Sequence, residues 1–99
     1  LVIRSFAEQA TEDLFNGRNT SAARRACSIR LWSVVRRKLD QLDSVVMLSE
    51  LRVPPGNYLE ALHGNRKGQY SIRINERYRI CFHWLQNEAD SVEVVDYHH

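Results

Sequence analysis

The chain closes with Val95-Asp96-Tyr97-His98-His99, which sets a carboxylate, a phenol and two imidazoles in succession. Imidazole titrates near neutral pH and is the commonest general acid or base, and a neighbouring carboxylate orients it or raises its pKa. Arg73 and Arg79 stand a little upstream, in two stretches where apolar and polar residues alternate. Acid–base groups beside fixed cations are the equipment of metal-independent RNA cleavage. One group removes the 2′-hydroxyl proton, another protonates the departing 5′-oxygen, and cations stabilise the pentacoordinate phosphorane. Taken alone, the tail is equally compatible with a loose end or a purification tag.

Other chemistries are poorly served. His63, His83, His98 and His99 with Cys27 and Cys81 form no Cys-x-x-Cys pair and no His-Glu-x-x-His helix. No metal or other cofactor is expected. Both cysteines sit within apolar stretches, where thiols are usually inert packing. Trp32 and Trp84 read most simply as core. Gly64-Asn65-Arg66-Lys67-Gly68 lacks the strand-then-helix setting of a nucleotide loop, but Arg66 and Lys67 there suit phosphate contact.

Charge supports a polyanionic partner more clearly than its total implies. Fourteen basic residues, twelve of them arginine, face twelve acidic ones, for a net +2. Residues 18–38 carry seven cations and no acid, and residues 63–79 carry five cations against Glu76 alone. Arginine offers a planar fork of donors matched to phosphate, so the bias favours bidentate contact over simple charge. A solvated helix face is the bland alternative for residues 18–38.

These groups need a scaffold. With 99 residues, 43% hydrophobic and 26% charged, the chain reads as one folded domain over 1–99. No stretch approaches the ~20 apolar residues of a membrane helix, and two cysteines fit a reduced, cytoplasmic setting. Val2–Phe6 reads as a short strand, and Ala7–Phe15 as a helix stopped by Gly17. A longer helix is predicted from Ser21, as N-cap, with Ala22, Ala26, Ile29, Trp32, Val35, Leu39 and Leu42 as its buried stripe. A short helical piece over Val46–Leu51 precedes Pro54-Pro55-Gly56. The remainder reads as strands around Tyr58–Leu62, Tyr70–Ile74, Tyr78–Trp84 and Val92–Tyr97. The class is therefore α+β, with helices on one face of an antiparallel sheet.

The hairpin at Asn75-Glu76-Arg77 permits a sharper expectation. Keeping both apolar sets on one face pairs Ile74 with Tyr78 and Ile72 with Ile80. Arg73 then stands opposite Arg79 on the other face, together with Cys81 and His83. Like charges directly opposite repel, so an anion between them is one explanation, and side chains splayed into water are the other.

At whole-chain level the sequence resembles the HigB-type "plasmid maintenance killer" toxins of the RelE-like superfamily. The resemblance lies in Ile3-Arg4-Ser5-Phe6, Lys38-Leu39 with Leu42-Asp43, Pro54-Pro55-Gly56-Asn57, Leu59-Glu60, Gly64-Asn65-Arg66, Ser71-Ile72-Arg73-Ile74-Asn75, Arg79-Ile80-Cys81-Phe82 and Asp96-Tyr97-His98. It implies an N-terminal strand and two to three helices on one face of a four- to five-stranded antiparallel sheet. It also implies a type II toxin that cleaves messenger RNA in the A site of the 70S ribosome, against ribosomal RNA, without metal. A helix-turn-helix antitoxin of the HigA type would hold it inactive, and operator DNA would be bound only through that complex. By the same resemblance Arg79 stabilises the scissile phosphate and Arg73 contacts phosphate. His98 does acid or base work, Asp96 orients it or shares the proton transfer, and Tyr97 stacks on a base or donates a proton. Some relatives carry His and Lys in the stretch aligned with Tyr58–His63, so Glu60, His63 and His98 all remain candidates for the base. The alternative is a non-catalytic module of the same fold that binds an antitoxin or nucleic acid.

Overall fold

Helix signals and strand alternation place most elements, and tertiary contacts decide where they break. The computed structural model describes residues 1–97. Helix α1 spans Gln9–Asn16 and stops at Gly17, whose φ of 73° is a left-handed cap that glycine adopts without Cβ strain. Helix α2 spans Ser21–Ala26, and α3 spans Trp32–Ser44. Thr20, not Ser21, caps α2: its hydroxyl accepts the Ala23 N–H at 3.1 Å and donates to buried Asp13 at 2.8 Å.

The expected long helix is thus two helices joined by a 3₁₀ turn at Ile29–Leu31. The chain becomes extended at Cys27, and the Trp32 indole N–H donates to the Cys27 carbonyl at 2.9 Å. That bond supplies a partner at a helix end where carbonyls otherwise lack one. The break also shifts the buried stripe: Ala23 and Cys27 precede Val35, Leu39 and Leu42 in the core, while Ile29 is 54% exposed. Val46–Leu51 likewise forms no α-helix; a 3₁₀ turn covers Leu48–Arg52 instead.

Four strands, β1 (Glu60–Ala61), β2 (Gln69–Arg73), β3 (Tyr78–Leu85) and β4 (Glu88–Asp96), form one antiparallel sheet in that order. β4 begins four residues earlier than the apolar run at Val92 predicts. The predicted strand at Val2–Phe6 is an extended segment making two isolated parallel bridges to β4, Ile3 with Ala89 and Phe6 with Val92. It is pinned by the Asp43 carboxylate, which accepts the N–H groups of Val2 and Ile3.

Leu14, Val35, Leu39, Leu42 and Leu51 pack against Ile72, Ile80, Phe82 and Val92, all essentially inaccessible. Full burial of a side chain such as Phe82 contributes about 1.5–3 kcal/mol. The helices therefore cover one face of the sheet and leave the alternate side chains on the other, open face.

Candidate functional site

The open face is laid out by register. Glu60 pairs with Ser71, Ser71 with Cys81, and Cys81 with Glu93, so these four form one row across the sheet. Arg73 opposite Arg79, with Val95 beside Arg79, makes the adjacent row. The hairpin pairing expected from alternation is the one observed.

Neither arginine splays freely into water. The Arg79 side chain is only 12% exposed; Nε donates to Ser71 Oγ at 2.7 Å and Nη2 to the Tyr58 carbonyl at 2.7 Å. Glu60 Oε1 lies 3.3 Å from the same Nη2. Arg73 donates from Nε to the Asn75 carbonyl at 3.1 Å, and its Cζ lies 5.1 Å from the centre of the Tyr58 ring. The like-charge pair is thus offset by protein groups, a carboxylate on one cation and a ring face on the other.

Tyr58 reaches both cations because it has φ 45° and ψ 54°, the left-handed region. Buried Asn57 holds the loop that presents it, donating to Gln41 Oε1 and to the carbonyls of Leu51 and Val53. Lys38 Nζ donates to the Asn57 carbonyl oxygen of the side chain. Sequence reasoning assigned Tyr58 to a strand and gave it no role. Nothing in residue type marks a tyrosine for positive φ.

The loop at Gly64–Arg66 folds Arg66 over the sheet, where Nη1 donates to Gln69 Oε1 at 3.1 Å and lies 3.4 Å from Glu93 Oε1. Lys67 and His63 are exposed in the same stretch, and their side chains make no hydrogen bond or ion pair among the described residues. Glu93 and Ser71 were both missed as site residues. Ser71 was readable from the alternation that placed Arg73; Glu93 required β4 to begin earlier.

Tyr97 joins this face at its β4 end. Its hydroxyl is 3.6 Å from Cys81 Sγ. Burial, then contact with Cys81, pushes the phenol up to about 12, against the opposing influence of Arg66 and Arg79. Tyr97 is therefore a protonated donor at neutral pH and no base. Burial also pushes the Cys81 thiol up, which fits packing and not nucleophilic attack.

Asp96 is not brought to Arg79. It pairs in register with Tyr78, on the helix-covered side of the sheet, and takes a forked contact from Arg77: Nε to both carboxylate oxygens at 3.0 Å and Nη2 to Oδ2 at 2.7 Å. His98, assigned acid or base work above, lies outside the described residues, as does His99. The face thus gathers Arg66, Arg73, Arg79, Glu60 and Tyr97, with Tyr58, Ser71, Cys81 and Glu93 holding them. Such a surface has fixed cations that could receive an anion, with a carboxylate and a phenol beside them.

Three comparisons place this architecture. A family model described as the RelE-like toxin of the type II toxin–antitoxin system HigB matches residues 4–98. Toxin HigB-1 of Vibrio cholerae serotype O1 is 51% identical over 53 residues, 54% of this chain and 56% of that protein. An uncharacterized protein of Haemophilus influenzae is 37% identical over 62 residues, 63% of this chain and 61% of its own length. The chain thus spans little more than half the length of these curated relatives in the matches. In fold, it is similar to solved structures of a YoeB–YefM complex and a heterotetrameric YoeB–YefM toxin–antitoxin complex, both from Staphylococcus aureus. Their TM-scores are 0.61 and 0.60 at 21% and 22% identity, with all of both chains covered.

Proposed function

The chain belongs to the RelE-like HigB toxins of type II toxin–antitoxin systems, and from that premise we propose that it is a ribosome-dependent endoribonuclease cutting messenger RNA in the A site. The observation that carries the reading is the pair Arg73 and Arg79, directly opposed on the open face, with Glu60 and Tyr97 on the same face. Two guanidiniums held from behind suit a phosphate whose charge grows as a 2′-oxygen attacks.

In the proposed step the 2′-hydroxyl loses its proton to a base, and its oxygen bonds to phosphorus. The bond to the 5′-oxygen breaks, leaving a 2′,3′-cyclic phosphate and a protonated 5′-hydroxyl. Arg79 stabilises the phosphorane, and Arg73 holds an adjoining phosphate. Glu60, His63 and His98 are the candidate bases. Tyr97 donates a proton or stacks on a base, and Asp96 orients His98 or shares the proton transfer. Arg66 and Lys67, with the cations of 18–38, grip ribosomal RNA. This work takes place in the cytoplasm, on the 70S ribosome. The inhibitory partner is a HigA-type helix-turn-helix antitoxin, and operator DNA is met only through that complex.

One observation favours a second reading, a non-catalytic module that binds antitoxin or nucleic acid. Arg79 already holds Ser71, Tyr58 and Glu60, so RNA must displace Glu60 to reach it fully. Induced expression and a translation assay separate the two. Under the first reading wild-type protein arrests growth and cuts translated messages at A-site codons, and Arg79→Ala lowers cleavage about 100-fold or more. Wild-type protein that binds ribosomes and leaves messages whole establishes the second.

A further inference from the structure

Strand β4 carries one residue too many for regular pairing with β3, and that surplus sets which side chains share the open face. Cys81 pairs with Glu93 but His83 pairs with Asp90, so two steps on β3 match three on β4. The extra residue is Ser91, at φ 54°. On its N-terminal side Ala89 faces the core; on its C-terminal side Val92 and Val94 do. A bulge that moved along the strand would turn over every side chain it passed, because strand side chains alternate with period two. Glu93, Val95 and Tyr97 look out beside Cys81 and Arg79 because the surplus stays at Ser91.

The outer edge of β4 shows what keeps it there. Backbone groups of the N-terminal segment serve most of that edge: Val2 O takes Ala89 N–H, Ser5 O takes Val92 N–H, and Val92 O takes Ala7 N–H. At two positions a hydroxyl replaces the backbone. Ser5 Oγ accepts the Ser91 N–H at 2.8 Å while donating to Asp90, and Thr11 Oγ1 accepts the Val94 N–H at 3.0 Å while donating to Glu8 at 2.8 Å. Thr11 is fully buried. Each hydroxyl therefore holds a β4 amide in a phase that a slipped strand would not offer it.

We propose that Ser5 and Thr11 are positioning residues, which lock the β4 bulge at Ser91 and so hold Tyr97 on the face of Arg79. The consequence for catalysis rests on the reading of that face as the RNA-cleaving site; the consequence for Tyr97 placement does not.

The test uses the full chain with Ser5→Ala, Ser5→Thr, Thr11→Val and Thr11→Ser. Amide exchange by NMR reads the lock, the contact between the Tyr97 ring and Cys81 reads placement, and cleavage on translating ribosomes reads kcat and KM separately. Loss of one such hydrogen bond corresponds to about tenfold faster exchange at Ser91 or Val94. The Tyr97–Cys81 contact weakens with it, kcat falls by about the same factor at unchanged KM, and the variants that keep a hydroxyl recover all three. Faster exchange with the Tyr97–Cys81 contact intact overturns the proposal, as does a fall in kcat that the hydroxyl-keeping variants fail to restore. If wild-type protein cuts no message, the cleavage reading fails, and the two NMR readouts still decide whether these hydroxyls place Tyr97. Should Ser5→Ala fail to fold, Thr11→Val decides by the same readouts.

Discussion

The Tyr58 carbonyl accepts a 2.7 Å hydrogen bond from Arg79 Nη2, and it reaches the guanidinium only because Tyr58 has a positive φ of 45°. The same turn brings the Tyr58 ring to the neighbouring Arg73. A single strained residue thus touches both of the opposed cations, Arg73 and Arg79.

Left-handed backbone costs a residue with Cβ about 1 kcal/mol relative to glycine. Tyr58→Gly is therefore expected to be more stable than Tyr58→Ala by about 1 kcal/mol in urea titrations. Both variants lose the ring beneath Arg73, and both should cut translated messages more slowly than wild type. Equal stability of the two would show that the loop does not enforce this conformation.

Arg79→Lys keeps the charge but not the fork. A lysine ammonium has no counterpart to the separated Nε and Nη2 donors that serve Ser71 and Tyr58, so one acceptor is left short. The variant should lose about 1–3 kcal/mol of stability and at least about tenfold in cleavage. Wild-type cleavage by Arg79→Lys would reduce the role of Arg79 to bulk charge.

Tyr97 gives a pH signature whose sign follows from its raised pKa. The folded phenol holds its proton up to about 12, whereas an unfolded tyrosine titrates near about 10. The associated stability is fully present below about pH 10 and drains away as pH rises toward 12. Urea midpoints should therefore fall more steeply for wild type than for Tyr97→Phe across that window. Cleavage should show no inflection from Tyr97 between about pH 6 and 9.

Trp32→Phe tests the break between α2 and α3. It preserves a ring and removes the indole donor from the Cys27 carbonyl. The expected cost is about 1–2 kcal/mol, read by chemical denaturation. An unchanged midpoint would mean that another group or water satisfies that carbonyl.

Much of the face was legible because strand alternation is a property of the backbone. Ile72, Ile74, Tyr78 and Ile80 had to share the core, and that requirement alone placed Arg73 opposite Arg79 and Cys81 beside them. End signals at Glu8–Asp13 and Gly17 located α1, and the 3.6-residue period located α3, equally well. It failed across Cys27–Leu31, where neither proline nor glycine marks the break and the stabilising bond comes from the Trp32 side chain. Alternation also puts Asp96 and Tyr97 on opposite faces, but which of them joins Arg79 depends on the bulge at Ser91.

The residues themselves determined a helix-covered antiparallel sheet, the opposed arginines and a tail rich in proton-transfer groups, since these follow from local periodicity and residue type. Tertiary structure decided the rest: Tyr58 at Arg79, Glu60 on the same guanidinium, Asp96 turned to Arg77, and Ser5 holding Ser91. Each of these joins segments well separated in the chain. Their meeting is settled by strand register and by how the whole chain packs, which must also give buried polar groups such as Ser71 their partners. No local pattern encodes that choice.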